Sequence, residues 1–357
     1  MRYLLLITFC LNSIFIANAQ SIRAYDGPGA TVGTAALPTL KSIAPFPVGA
    51  AVAMKHLRNN PRYRSLVAEQ FNSITAESVM KFKHLHPSEK VYRFEAGDEL
   101  VAFAQANNMR VHGHTLIWAL SNPDWVKSYQ GDKTAWKNLL KDHIQTVVKH
   151  FKGKVASWDV VNEAFTDGGS LKKSIWLEKI GPEYIELAFR YAHEADPNAL
   201  LFYNDYGQEY VGKKMTAISN MIKDFKKRGV PIHGMGMQMH IPVRLTDAKI
   251  QQCMKAAAAT GLLIHLSEFE ISVKHQMPKS FQMNDELSRK QAEKYMTVFK
   301  AYRSIPKAQQ FGITTWNVGD ADSYRNSKGK DQDHPMMFDK QYRPKAAFNA
   351  VIEALKP

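Results

Sequence analysis

Apolar residues in this chain fall into short runs that alternate with longer stretches of helical period. The short runs cover residues 47–52, 73–77, 110–116, 155–161, 200–204, 234–241, 263–268 and 312–317. Most are near-continuously apolar, the pattern of parallel strands buried on both faces. Helical stretches separate them at 63–71, 97–107, 136–151, 182–194, 213–227, 247–259, 288–304 and 345–355. Asp196-Pro197, Gly229 and Gly261 fall between elements, where turns belong. Eight strands alternating with helices predict an α/β fold, a single-domain (β/α)8 TIM barrel over residues 45–357. An open doubly wound sheet is the alternative, but no GxGxxG turn follows the first strand.

The strand ends carry the chemistry. The run 155–161 ends in Asn162-Glu163, and the run 263–268 ends in Glu268-Phe269-Glu270. In a barrel, the C-terminal strand ends meet at one rim. Two strands that each deliver a glutamate there make a carboxylate pair, the working part of glycoside hydrolysis. The same rim would gather Glu77, Lys81, His114, Trp118, Asn204, Tyr206, Gln238, His240, Trp316, Asp320 and Tyr324. Aromatic faces suit the apolar faces of sugar rings, and amides and acids suit their hydroxyls. His112 and His114 form a His-Gly-His pair, but no third ligand at metal spacing accompanies them. No metal and no cofactor are expected.

Composition and charge narrow the setting. With 45% hydrophobic and 22% charged residues, the 357-residue chain has an ordinary globular balance. The formal charge of +14 favours acidic partners, yet the Lys and Arg residues are scattered, the densest cluster being 223–228. Nucleic-acid binding is therefore not expected. Arg2, the apolar run 4–16 and Ala17-Asn18-Ala19 read as a signal peptide over residues 1–19, cleaved before Gln20. Cys10 lies inside that run after the bulky Phe9, which argues against a lipid-anchor site. Residues 20–44, rich in Gly, Ala and Thr, read as an N-terminal arm or linker. No later segment is apolar enough to span a membrane. The expectation is an exported monomer, periplasmic or extracellular, held without a disulfide because only Cys253 remains.

Six motifs in order resemble glycoside hydrolase family 10. They are His112-Gly-His-Thr-Leu-Ile-Trp118, Trp158-Asp-Val-Val-Asn-Glu163, Tyr203-Asn-Asp-Tyr206, Gly234-Met-Gly-Met-Gln-Met-His240, Leu266-Ser-Glu-Phe-Glu270 and Trp316-Asn-Val-Gly-Asp320. Most characterised members are endo-β-1,4-xylanases with a (β/α)8 barrel that retain anomeric configuration. The resemblance implies that Glu163 is the acid/base and Glu268 the nucleophile. It implies that His240 orients Glu268 with Glu270 behind it, that Gln238 bonds Glu163, and that Asn162 holds the sugar 2-hydroxyl. Glu77, Lys81, His114, Trp118, Tyr206, Trp316 and Tyr324 match substrate-binding positions, and Asp159 a supporting one. The implied substrate is xylan or a related β-glycan. A hexose-containing or decorated glycan, or a weakly catalytic carbohydrate-binding barrel, are the other readings.

The chain departs from the family pattern at Ser78, Ala119, Ser121, Gly207, Glu270 and Tyr324. Ser121 and Tyr324 stand where the family usually has Gln and Trp, with Ala119 where it usually has His. These smaller residues predict a roomier cleft, more tolerant of hexose or decorated units.

Overall fold

The computed structural model describes residues 38–274, 281–326 and 333–356. The expected signal peptide and residues 20–37 of the expected arm lie outside them. The strands are β1 (Val48–Val52), β2 (Ser73–Ala76), β3 (Arg110–Trp118), β4 (Ser157–Asn162), β5 (Leu200–Asp205), β6 (Gly234–Met237), β7 (His240–Pro242), β8 (Leu263–Ser272) and β9 (Gln310–Thr315). β1 to β6 pair in sequence, β6 pairs with β8, β8 with β9, and β9 with β1, all in parallel. Eight strands thus close into a barrel, as the alternating pattern predicts. β7 lies outside the ring, paired to the far end of β8 with His240 opposite Glu270.

Two expected boundaries change. The single strand expected over 234–241 is two, because Met239 adopts a left-handed backbone, φ +58°, and breaks the ladder after Met237. The packed unit also begins before Pro45. A turn of helix, Leu40–Ile43, fully buries Leu40, whose N–H donates to Gln70 Oε1 at 3.1 Å, and Lys41 Nζ donates to Ala68 O at 2.6 Å. The reason is local: the apolar Leu40 side chain joins the buried core beside helix Pro61–Gln70, and that burial fastens the turn.

The helices start where the chain supplies caps. Asn60, Asp132, Ser174, Thr246 and Asn284 each accept a backbone N–H from three residues on; such caps stabilise a helix by about 1 kcal/mol each. Cys253 is buried inside helix Asp247–Ala258. Aromatic rings fill part of the barrel interior. His112, Phe202, His265 and Phe311 meet at centroid distances from 4.5 to 6.1 Å. The Arg110 guanidinium covers Phe311 at 3.7 Å. Among the described residues, no helix is long and apolar enough to cross a membrane.

Candidate active site

One cleft at the C-terminal strand ends is lined by Glu77, Lys81, His114, Trp118, Asn162, Glu163, Tyr206, Gln238, His240, Glu268, Trp316 and Tyr324. Every residue matched to a substrate-binding position therefore comes together, with Asp159 and Glu270 buried behind. Asp320, expected at the same rim, is instead buried and accepts from Lys345 Nζ and Met336 N.

Glu163 follows β4 with φ +58°, a conformation that costs a non-glycine residue energy and recurs at working sites. Its N–H donates to Asn204 O at 2.9 Å. Oε1 accepts from Gln238 Nε2 at 3.1 Å, and Oε2 from Lys172 Nζ at 3.3 Å. Glu268, on β8, accepts at Oε1 from Asn204 Nδ2 at 2.9 Å and at Oε2 from His240 Nε2 at 3.1 Å. Between the two carboxylates, Asn162 Oδ1 accepts from Gln238 Nε2 at 3.3 Å and from Asn204 Nδ2 at 3.0 Å. Ser267 Oγ fixes the Asn204 amide by donating to its Oδ1 at 2.6 Å. A chain of amides, Gln238–Asn162–Asn204, thus joins Glu163 to Glu268. Asn162 spends its oxygen on this chain and keeps its NH2 group for the cleft, apart from a long 3.5 Å contact to Glu163.

Behind Glu268, His240 Nδ1 lies 2.8 Å from Glu270 Oε1. Burial alone would depress the His240 pKa, but its hydrogen bonds to Glu268 and Glu270 and their charges push it up to about 10. His240 is therefore an imidazolium at neutral pH and donates from both nitrogens. Glu270 is held below the usual carboxylate range: burial opposes this, but His240 and Arg325 outweigh it. On the other wall, His114 Nδ1 meets Asp159 Oδ2 at 2.8 Å, and His112 Nε2 lies 3.1 Å from Asp159 Oδ1, close enough for an ion pair but without hydrogen-bond alignment. Burial would raise Asp159, yet the two histidines bring it below its ordinary value. Lys81 lies over the Trp118 and Trp316 rings at 4.9 and 5.5 Å. Burial lowers its pKa, against the charges of Glu268 and Glu77.

The order of these groups along the chain has a counterpart. The family model described as "Glycosyl hydrolase family 10" matches residues 39–354. The chain belongs to glycosyl hydrolase family 10. "Beta-1,4-xylanase" from Dictyoglomus thermophilum is 39% identical over 329 residues, covering 89% of this chain and 91% of that protein. "Endo-1,4-beta-xylanase B" from Thermotoga neapolitana is 37% identical over 299 residues, 83% and 84% of the two chains. Among solved structures, xylanase 10B from Thermotoga petrophila RKU-1, in complex with xylobiose, superposes with a TM-score of 0.83 at 37% identity, covering 89% of this chain and 97% of that one.

Several features of this site are not legible in the sequence. Lys172 sits on the loop after β4 and reaches Glu163, and no periodicity or spacing links the two. Asn204 is a visible strand-end amide, but its place between the carboxylates needs the barrel's closure to bring β4, β5 and β8 together. Tyr206 lines the cleft, yet Lys172 and Lys214 lie over its ring at 4.5 and 3.4 Å. Lys214 is buried and paired with Asp205 and Asp167. Tyr206 is thus backed by cations and offers a sugar less open ring face than a lone tyrosine would.

Ser121 does not stand on the cleft wall. It ends the one-turn helix Ala119–Ser121, is 1% exposed, and leaves Leu120 outside at 73% exposure. Ser121 is also not among the residues that line the cleft, so the room expected from a small residue at 121 does not open into it. Tyr324 does line the cleft.

Proposed function

We propose that this chain is a retaining endo-β-1,4-xylanase. The observation that carries the proposal is the hydrogen-bonded chain from Glu163 through Gln238, Asn162 and Asn204 to Glu268, with charged His240 behind Glu268. The xylanase names of the relatives support xylan as substrate, and the family pattern supports retention. In this reading Glu268 attacks the anomeric carbon while protonated Glu163 donates its proton to the leaving oxygen. Glu163 then takes a proton from water, which displaces Glu268 from the sugar. Asn162 Nδ2 donates to the 2-hydroxyl, and Lys81, His114, Trp118 and Trp316 bind sugars next to the cleaved bond. The leader-like pattern of residues 1–19 supports export of the enzyme.

Azide rescue tests the roles. Glu268→Ala is expected to abolish turnover. Glu163→Ala is expected to keep the first step on aryl glycosides with good leaving groups, and azide is expected to restore its turnover with a β-glycosyl azide as product. An α-glycosyl azide from the Glu163 variant, or rescue of the Glu268 variant with β-azide, reverses the assignment.

A further inference from the structure

Tyr324 touches both sides of the problem. Its ring lines the cleft and lies edge-on to His240, centroids 5.7 Å apart and planes at 70°. Its hydroxyl donates to Glu270 Oε1 at 2.9 Å. The same oxygen accepts from His240 Nδ1 at 2.8 Å and from Arg325 Nε at 2.6 Å. Glu270 Oε2 is buried and has no hydrogen-bond partner among the described residues. One carboxylate oxygen therefore takes three donors, and the carboxylate cannot turn without loosening all three. Because His240 is held at Nδ1 by that oxygen, its Nε2 is aimed at Glu268 Oε2, 3.1 Å away.

We propose that the Tyr324 hydroxyl is a positioning group for the nucleophile, acting through Glu270 and His240, and that Tyr324 and Glu270 work as a matched pair. The proposal rests on Glu268 being the nucleophile. It joins two departures from the family pattern that looked separate in the sequence. With Asp at 270 the carboxylate would lie about 1.5 Å, one C–C bond, further back. The 2.9 Å bond to the Tyr324 hydroxyl would then stretch past hydrogen-bonding range. With Trp at 324 there is no hydroxyl to meet the longer acid. Tyr324 itself stays a donor, since burial and the Glu270 charge raise its pKa well above the ordinary phenol value. The 3₁₀ turn Tyr324–Asn326 holds it in place: Tyr324 N donates to Asn317 Oδ1 at 3.1 Å, and Asn326 Nδ2 donates to Asp320 O at 2.7 Å.

The test is a double-mutant cycle read on an aryl β-xylobioside. Tyr324→Phe keeps the ring and removes the hydroxyl. It is expected to lower kcat about 10-fold, the scale of a hydrogen bond to a charged group, with KM within about twofold. In a Glu270→Asp background the same change is expected to have no further effect, because the pair is already broken. A raised KM at unchanged kcat makes the hydroxyl a substrate contact and overturns the proposal. So does an undiminished effect in the Glu270→Asp background. Thermal melting of each variant separates misfolding from a kinetic effect. Trapping the wild type with a 2-fluoro-xylobioside and locating the label by mass spectrometry tests the underlying reading independently: a label away from Glu268 sinks the nucleophile assignment, whatever the cycle returns.

Discussion

A Cβ on Gly236 would stand 2.3 Å from Oδ1 of Asn204. That distance is inside any allowed contact, so the Asn204 side chain occupies the space that glycine leaves on the neighbouring strand. Asn204 in turn supplies one hydrogen to each of Asn162 and Glu268. Gly236→Ala is expected to push Asn204 aside and cost about 1–3 kcal/mol of stability by overpacking. It is also expected to lower kcat about 10- to 100-fold through the lost donor to Glu268. Adding Asn204→Ala should restore the melting temperature without restoring kcat. Calorimetry and steady-state kinetics on the three variants check this; additive losses in melting temperature would show that the two side chains do not compete for the same space.

Lys172 is expected to matter in proportion to the leaving group. Its ammonium stands 3.3 Å from Glu163 Oε2 at a part-exposed pair. Lys172→Met keeps the stem and removes the charge. About 1 kcal/mol of lost positioning at such a pair corresponds to about a 5-fold lower kcat/KM on xylo-oligosaccharides. A dinitrophenyl xylobioside, which needs little protonation, is expected to react at nearly the wild-type rate in the first step. Equal losses on both substrates would place Lys172 in sugar binding instead.

His240 links stability to pH. Its folded pKa, about 10, lies above the ordinary histidine value, so the folded protein binds a proton that the unfolded chain has released. The stabilisation is complete below about pH 6.5, the unfolded value, and is lost as pH rises through the folded value. The contribution falls by at most about 1.4 kcal/mol per pH unit across that window. Urea titrations at a series of pH values between these limits are expected to show the decline in the wild type and a flatter profile in His240→Asn. Parallel profiles would refute the linkage.

Ser121→Gln is expected to destabilise rather than to narrow the cleft. The position is buried, and a longer amide there costs about 1–3 kcal/mol in strain. The ratio of aryl xylobioside to aryl cellobioside activity is expected to match the wild type. A selective loss of cellobioside activity would put residue 121 back on the wall.

The barrel was readable because each buried parallel strand leaves an unbroken apolar run, and because both Glu163 and Glu268 sit where such runs end. What escaped reading depends on single backbone angles or on closure of the ring. The left-handed turn at Met239 splits one apolar run into β6 and β7, and Met is not a residue that announces such a turn. The 3₁₀ turn after Trp118 buries Ser121 and exposes Leu120, the reverse of what their polarity suggests. Leu40 belongs to the packed unit despite lying in a stretch without periodicity, because one buried side chain and two hydrogen bonds are enough to fasten a single turn. Lys172 approaches Glu163 through a loop, where sequence distance says little about space.

His112 gives the barrel's interior and its mouth a common fate. The ring packs against Phe202, His265 and Phe311, while its Nε2 faces the Asp159 carboxylate that also holds His114 on the cleft wall. If His114 binds sugar as proposed, repacking those interior rings to harden the protein against heat is expected to change substrate affinity as well. A change that lets His112 tilt frees one side of Asp159, and with it the anchor of His114, without any residue of the cleft having been altered.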